Sequence, residues 1–171
     1  PFRGYKTHLF EGGVRSSLVA WAPRLMAEKA KGTSNKKSIF SAIDLVPTLL
    51  EITGTKLPEG IKFDGESLPG VLLGKSIDSR KQDLYFRRPP DRDSFYGVKD
   101  LPDLAIRSGK WKLLCEYDGS DTLLYDLTQD PAEKNNLTLQ YPDVTKLLTQ
   151  KIIEWHKSMP EDNGALLASQ N

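Results

Sequence analysis

Residues 104–127 read Leu-Ala-Ile-Arg-Ser-Gly-Lys-Trp-Lys-Leu-Leu-Cys-Glu-Tyr-Asp-Gly-Ser-Asp-Thr-Leu-Leu-Tyr-Asp-Leu. Leu104 and Ile106 alternate, and Trp111, Leu113, Cys115 and Tyr117 follow on one face at the period of a strand. Ser108-Gly109 and Asp118-Gly119 separate these runs with turn chemistry, and Leu123 to Leu127 continues as a further strand. The stretch predicts an antiparallel meander. Asp83 to Arg87 reads as one more strand ahead of it.

A sheet this small needs a cover to be stable. The segment from Pro142 to Lys157 provides one, with Val144, Leu147, Leu148, Ile152 and Trp155 on one helical stripe. Between sheet and helix, Asp130-Pro131-Ala132-Glu133 predicts a short helical turn. Asp is suited to the cap, Pro to the first helical position, and Glu to a return bond onto the cap N–H.

Upstream the pattern differs. Arg88 to Pro102 carries Pro89-Pro90, Gly97 and many charges, and reads as a long surface loop. A boundary between two subdomains is expected near residues 75–103. Lys56 to Gly74 is rich in proline and glycine, with a short apolar turn at Leu68 to Leu73. Ile43 to Thr53 reads as a helix with Leu45, Leu49 and Ile52 on its apolar stripe and Gly54 beyond its end. Pro47 belongs in a first turn, which favours Asp44 over Ser41 as the cap, although Ser41 to Asp44 has the form of a capping box. Arg24 to Lys37 is a solvated connector, and Val14 to Ala22 reads as a buried strand ending at Pro23.

The chain opens on Pro-Phe-Arg-Gly-Tyr-Lys-Thr-His-Leu-Phe-Glu-Gly-Gly-Val-Arg, residues 1–15. Arg3, Lys6, His8, Glu11 and Arg15 lie here among three glycines. Read as an extended loop, the segment places Lys6 and His8 on one side, where both face an anion. Gly12 and Gly13 point to unusual backbone angles or a close approach. Glu11 and Arg15 read as structural, through an ion pair or backbone hydrogen bonds holding the glycine turn.

Composition narrows the function classes. The 171 residues are 27% charged and 38% apolar, the profile of a soluble globular chain. A net charge of +1 gives no nucleic-acid footprint and no case for a membrane surface. No apolar run approaches the roughly 20 residues of a membrane span, and Pro1 to Arg15 lacks the apolar core of a signal peptide. A single cysteine, Cys115, rules out an internal disulfide and a multi-cysteine zinc site.

Five stretches together resemble the type I sulfatases of the alkaline-phosphatase-like superfamily, in particular arylsulfatases and N-acetylgalactosamine-6-sulfatases. They are Arg3 to Arg15; Ser41 to Leu50; Phe63-Asp64-Gly65-Glu66-Ser67-Leu68; Arg107 to Leu113; and Leu124-Tyr125-Asp126-Leu127 with Asp130-Pro131, Glu133 and Asn136-Leu137. They occur in the family's order and reach to about residue 160.

The resemblance implies an α/β fold of which residues 1–80 form the C-terminal end of the core, its last strand and helix. Residues 81–158 would be an α+β subdomain, a small antiparallel sheet covered by the C-terminal helix, and 159–171 a tail. It implies hydrolysis of sulfate esters of sugars or aryl alcohols by the parent, using calcium and a formylglycine made in a Cys/Ser-x-Pro/Ala-x-Arg motif. That motif is absent here: Cys115 is followed by Glu116 and Tyr117. The paired aspartates and the Asp-Asn-Gly segment are missing as well, so nucleophile and metal ligands are expected upstream of Pro1. This chain alone is expected to be inactive.

Residue by residue, Lys6 matches the family lysine that contacts sulfate and is the candidate catalytic and substrate-binding residue. His8, where the family often has a small residue, is a candidate for substrate preference. Arg88, with Arg87 and Arg92, sits on a loop that in this family reaches the pocket mouth, and arginine suits sulfate or carboxylate. His156 on the last helix reads as structural, and Asn136-Leu137-Thr138 has the form of a glycosylation acceptor. The resemblance implies a parent that works in the periplasm, outside the cell or in lysosomes.

Two other readings stay open. One is a phosphodiesterase or phosphonate hydrolase parent of the same superfamily; the other is a non-catalytic module binding a sulfated glycan or a partner. Without upstream elements, Val14 to Ala22 and the Ile43 helix would expose apolar surface, which predicts self-association.

Overall fold

The computed structural model describes residues 1–56, 59–88 and 101–160. In chain order the helices are α1 (Glu11–Val14), α2 (Leu45–Thr53), α3 (Pro69–Leu72) and α4 (Pro142–Ser158), and the strands are β1 (Leu84–Arg87), β2 (Leu104–Ser108), β3 (Trp111–Cys115) and β4 (Leu123–Asp126). They fall into two compact units: Pro1–Ser16 together with Asp83–Asn171, and Ser17–Gln82.

The first unit is built on the meander. The four strands pair antiparallel in the order β1-β2-β3-β4. Gly109 and Gly119, at φ +55° and +86°, make the turns that the sequence marked. Period-two alternation then sends side chains to two faces. On one face Leu104, Ile106, Leu113, Cys115 and Leu124 pack against Leu148 and Ile152 of α4. Each such burial contributes about 1.5–3 kcal/mol. Tyr85 stacks on Trp155 at the sheet edge with ring centroids 5.1 Å apart, and Lys151 pairs with Asp83 at 2.7 Å.

The opposite face is covered too, by the start of the chain. Leu9 and Phe10 pack against Ala105, Leu114, Tyr125 and Leu127. The Gly-rich opening segment is thus one of the two layers that bury the sheet.

The Asp130 segment corrects an expectation. It forms a turn, with the Glu133 N–H donating to the Asp130 carbonyl at 3.1 Å, and does not run on as a helix. Asp130 caps the turn by accepting from the N–H groups of Lys134 and Asn135. Glu133 adopts φ +55°, which turns its side chain away from a helical path.

In the second unit, helical structure starts at Ser41 with a 3-10 turn over Ala42–Asp44 that runs into α2. The capping box prevails: the Asp44 carboxylate reaches back to accept from the Ser41 N–H at 2.8 Å, so Asp44 fills the box's third position and makes no side-chain cap of its own. Gly54 ends α2 in the left-handed conformation, at φ +67°. The buried face of α2 carries Pro47 and Thr48, while Leu49 of the expected stripe is exposed. The inward Thr48 is held by its hydroxyl, which accepts the Leu68 N–H at 2.9 Å.

The strand expected from Val14 to Ala22 does not form. Val14 closes α1, and Arg15 to Ala22 joins no ladder among the described residues. A strand exists only where a neighbour takes its N–H and C=O groups, and the four described strands pair among themselves. Val19 and Trp21 are consequently 88% and 85% exposed.

Candidate active-site segment

Register dictates what lies under the opening segment. Arg107 faces Lys112 across β2 and β3, and Lys112 faces Tyr125 across β3 and β4. Three polar residues therefore form one row on the face that α4 does not cover. In an exposed sheet such a row would be solvated. Here it is the floor of the segment, and Lys112 is only 1% exposed.

Burying an ammonium demands paired carboxylates. Lys112 Nζ has two: Glu11 Oε1 at 3.0 Å and Glu133 Oε1 at 2.9 Å. The second oxygen of Glu133 accepts the Glu11 N–H at 2.6 Å. Burial pushes the Glu133 carboxyl up, and Lys112 opposes that shift. Arg107 and Arg15 approach the other Glu11 oxygen at 3.5 and 3.8 Å, so of the two structural roles expected for Glu11 and Arg15 the ion pair is present. Arg3 completes the floor, donating to the Tyr125 hydroxyl at 2.9 Å and the Glu133 carbonyl at 3.3 Å, with its guanidinium 3.9 Å from the centre of the Phe10 ring.

Above this floor the backbone doubles on itself. The Gly12 N–H donates to the Arg3 carbonyl at 2.7 Å. A Cβ on Gly12 would lie 2.2 Å from the Gly4 carbonyl oxygen, and one on Gly13 would lie 2.0 Å from that of His8. The two glycines serve a close approach. Residues 3–8 then lie on α1 and close a turn, the His8 N–H donating to the Tyr5 carbonyl at 2.9 Å. Thr7 has φ +85°, as the third position of a type II turn requires and a β-branched residue resists.

This turn corrects the extended geometry expected of Lys6 and His8. Lys6 sits at its corner, exposed, whereas His8 is buried. The left-handed Thr7 reverses the chain between them, so they do not share a side. The His8 ring packs on Tyr5 with centroids 4.1 Å apart, and its Nε2 is buried without a hydrogen-bond partner. Burial first, then the charges of Arg88 and Arg3, hold its pKa below 6.5, so the ring is neutral. Arg88 thus lies within electrostatic reach of His8, but its guanidinium is held by Asp103 Oδ1 at 2.9 Å and the Leu101 carbonyl at 3.2 Å. Its own carbonyl accepts from the Tyr117 hydroxyl. Arg87 lies at the end of β1, opposite Leu104. Arg92 lies outside the described residues. His156 stacks on Tyr117 at 5.0 Å, and the Asn136 side chain accepts the N–H groups of Leu124 and Thr138.

Residues 5–158 match the family described as N-sulphoglucosamine sulphohydrolase, C-terminal. The chain belongs to that family. It is 31% identical over 152 residues to arylsulfatase K of Mus musculus, covering 86% of this chain and 26% of that protein. It is 29% identical over 165 residues to the N-acetylgalactosamine-6-O-sulfatase of Bacteroides thetaiotaomicron, covering 87% of this chain and 29% of the relative. A solved structure from work on glycosaminoglycan metabolism by Bacteroides thetaiotaomicron superposes with a TM-score of 0.52 at 27% identity, covering 71% of this chain and 26% of the other. Of the sulfatase fold, the described residues show the small four-stranded antiparallel sheet with its C-terminal helix. The chain spans about a quarter of the length of these relatives.

The family's calcium and formylglycine do not fit the residues described. No three His, Cys, Asp or Glu side chains converge as metal ligands among them. Cys115 is buried in β3 with its thiol pushed up to about 12, first by burial and then by Glu116, Asp118 and Asp103.

Lys112 and Glu133, which lie beneath the segment, are the contacts that the sequence reading missed, although both stand in motifs of the family resemblance. Alternation was the available signal, since it places Arg107, Lys112 and Tyr125 on one face. Nothing local marked the partner that covers them.

Proposed function

We propose that this chain is the C-terminal part of a sulfuric ester hydrolase acting on sulfated carbohydrates, and that it forms one wall of the active site. Lys6 is the sulfate contact. The observation that carries this is the exposed Lys6 at the corner of a strained turn, in the family's motif, on a layer fastened to the sheet by a buried ion network. Flexible surface lysines are not built this way; strain persists where surrounding structure over-determines it, commonly at functional sites. An ammonium placed beside sulfuryl oxygens stabilises the charge that builds up in ester cleavage.

His8 and Arg88 act behind Lys6 as a neutral ring and a tethered cation that shape the substrate's surroundings. The relatives' names support a sulfated sugar as substrate class. Nucleophile and calcium are supplied by parts of the protein other than this chain, which is inactive by itself. Exposed Val19 and Trp21 make the isolated chain self-associate, and sedimentation as a clean monomer at high concentration would contradict that.

The deciding experiment uses the full-length protein and a sulfated N-acetylhexosamine. Lys6→Ala is expected to lower kcat by about 10²–10³, with the chain folded. Unchanged turnover would overturn the assignment of Lys6.

A further inference from the structure

We infer that Glu133 and Lys112 are positioning residues for the Lys6 turn, acting through Glu11 and the paired glycines. The inference rests on the reading of Lys6 given above. Its basis is a continuous set of contacts between the sheet and the turn. Lys112, fully enclosed on β3, bridges the carboxylates of Glu11 and Glu133. Glu133 also grips the main chain at the Glu11 N–H. From there Gly12 and Gly13 carry the connection, the first through its bond to the Arg3 carbonyl and both through backbone contact with residues 3–8. Arg3, held by Tyr125 and by the Glu133 carbonyl, clamps the other end of the same loop. The loop cannot shift without moving a backbone N–H off a buried carboxylate, which leaves both unsatisfied.

A brace that served stability alone would not need its tightest hydrogen bond at the backbone of α1. Glu133 pays for reaching it with a left-handed backbone at a residue that is neither glycine nor asparagine. Three motifs distant in sequence, at Glu11, Lys112 and Glu133, are in this view one device that aims Lys6.

The test compares Glu133→Ala, Glu133→Gln and Ile152→Ala in the full-length protein. Ile152 lies on the other face of the sheet and serves as a control for general destabilisation. Two readouts are taken: hydrogen exchange of the peptide spanning residues 3–14, and kcat separately from KM on the sulfated sugar. Glu133→Ala is expected to speed exchange more than 10-fold and to lower kcat at least 10-fold. Glu133→Gln keeps an acceptor for the Glu11 N–H and should recover most of the protection. Ile152→Ala should leave both readouts of the segment near wild type. Wild-type exchange in Glu133→Ala, or equal loosening by Ile152→Ala, overturns the inference. Loosened exchange in Glu133→Ala with unchanged kcat overturns it also, unless Lys6→Ala is equally silent; in that case the Lys6 assignment falls and the brace stands.

Discussion

Arg80 and Asp44 form a dry ion pair in the second unit, Nη1 to Oδ1 2.7 Å apart with side chains 2% and 0% exposed. The same Asp44 oxygen accepts the Glu66 N–H at 2.8 Å and the other accepts that of Ser41. One carboxylate thereby ties the start of α2 to two later segments. Removing one partner of such a pair leaves an uncompensated buried charge. Arg80→Met should therefore cost about 3–5 kcal/mol, and Arg80→Met with Asp44→Asn should cost less than Arg80→Met alone. Chemical denaturation followed by hydrogen exchange over residues 41–53 checks both.

Gly13→Ala places a methyl 2.0 Å from the His8 carbonyl oxygen, a backbone atom that cannot rotate away. Overpacking of this kind should cost about 3 kcal/mol. It should also expose His8, and proton NMR of the ring would report the change of environment. An Ala variant as stable as wild type would show that the backbone contact is not as tight as described.

Thr7→Gly runs in the opposite direction. A left-handed β-branched residue carries about 1–2 kcal/mol of strain, while glycine's extra chain entropy costs roughly 0.5–1 kcal/mol. The substitution should stabilise slightly, by at most about 1 kcal/mol, visible as a small rise in Tm. In the full-length protein it should also loosen the Lys6 turn and, if Lys6 is the sulfate contact proposed above, lower kcat.

Two groups give pH dependence of opposite sign. Glu116 is raised to about 7 by burial, then by its hydrogen bond and charge contact with Asp103 and by Asp121, with Arg88 opposing. A carboxyl raised in the folded state stabilises below its unfolded value of about 4.5, and that contribution is lost as pH climbs toward 7. His8 is lowered, so the unfolded chain binds the proton first and stability falls as pH drops below 6.5. Glu116→Gln should gain Tm over wild type at pH 8 more than at pH 5. His8→Asn should gain relative to wild type on going from pH 7 to pH 5. Parallel melts across this range separate the two.

Cys115 should be inert in the native state. It is wholly buried and its thiol is pushed up to about 12, so little thiolate exists at pH 8. Thiol reagents should label it only at the rate of unfolding.

Much of the architecture is legible in the chain itself. Alternation in Leu104 to Leu127, glycines at both turns and the stripe of the last helix are local signals. The physics they report is local as well, since strand period and turn dihedrals are set within a few residues. The order of motifs identified the family, and Lys6 stood out within one of them. The strand at Val14 to Ala22 failed because a strand is a property of two chains, and composition cannot say whether the neighbour is there. Lys6 and His8 parted because a single left-handed Thr7, against its own preference, reversed the backbone between them. Glu133 looked like the third residue of a capping box because its spacing from Asp130 allowed it. Only the tertiary structure turned it inward, where a lysine buried by register needed a second carboxylate, and so decided what holds the Lys6 turn in place.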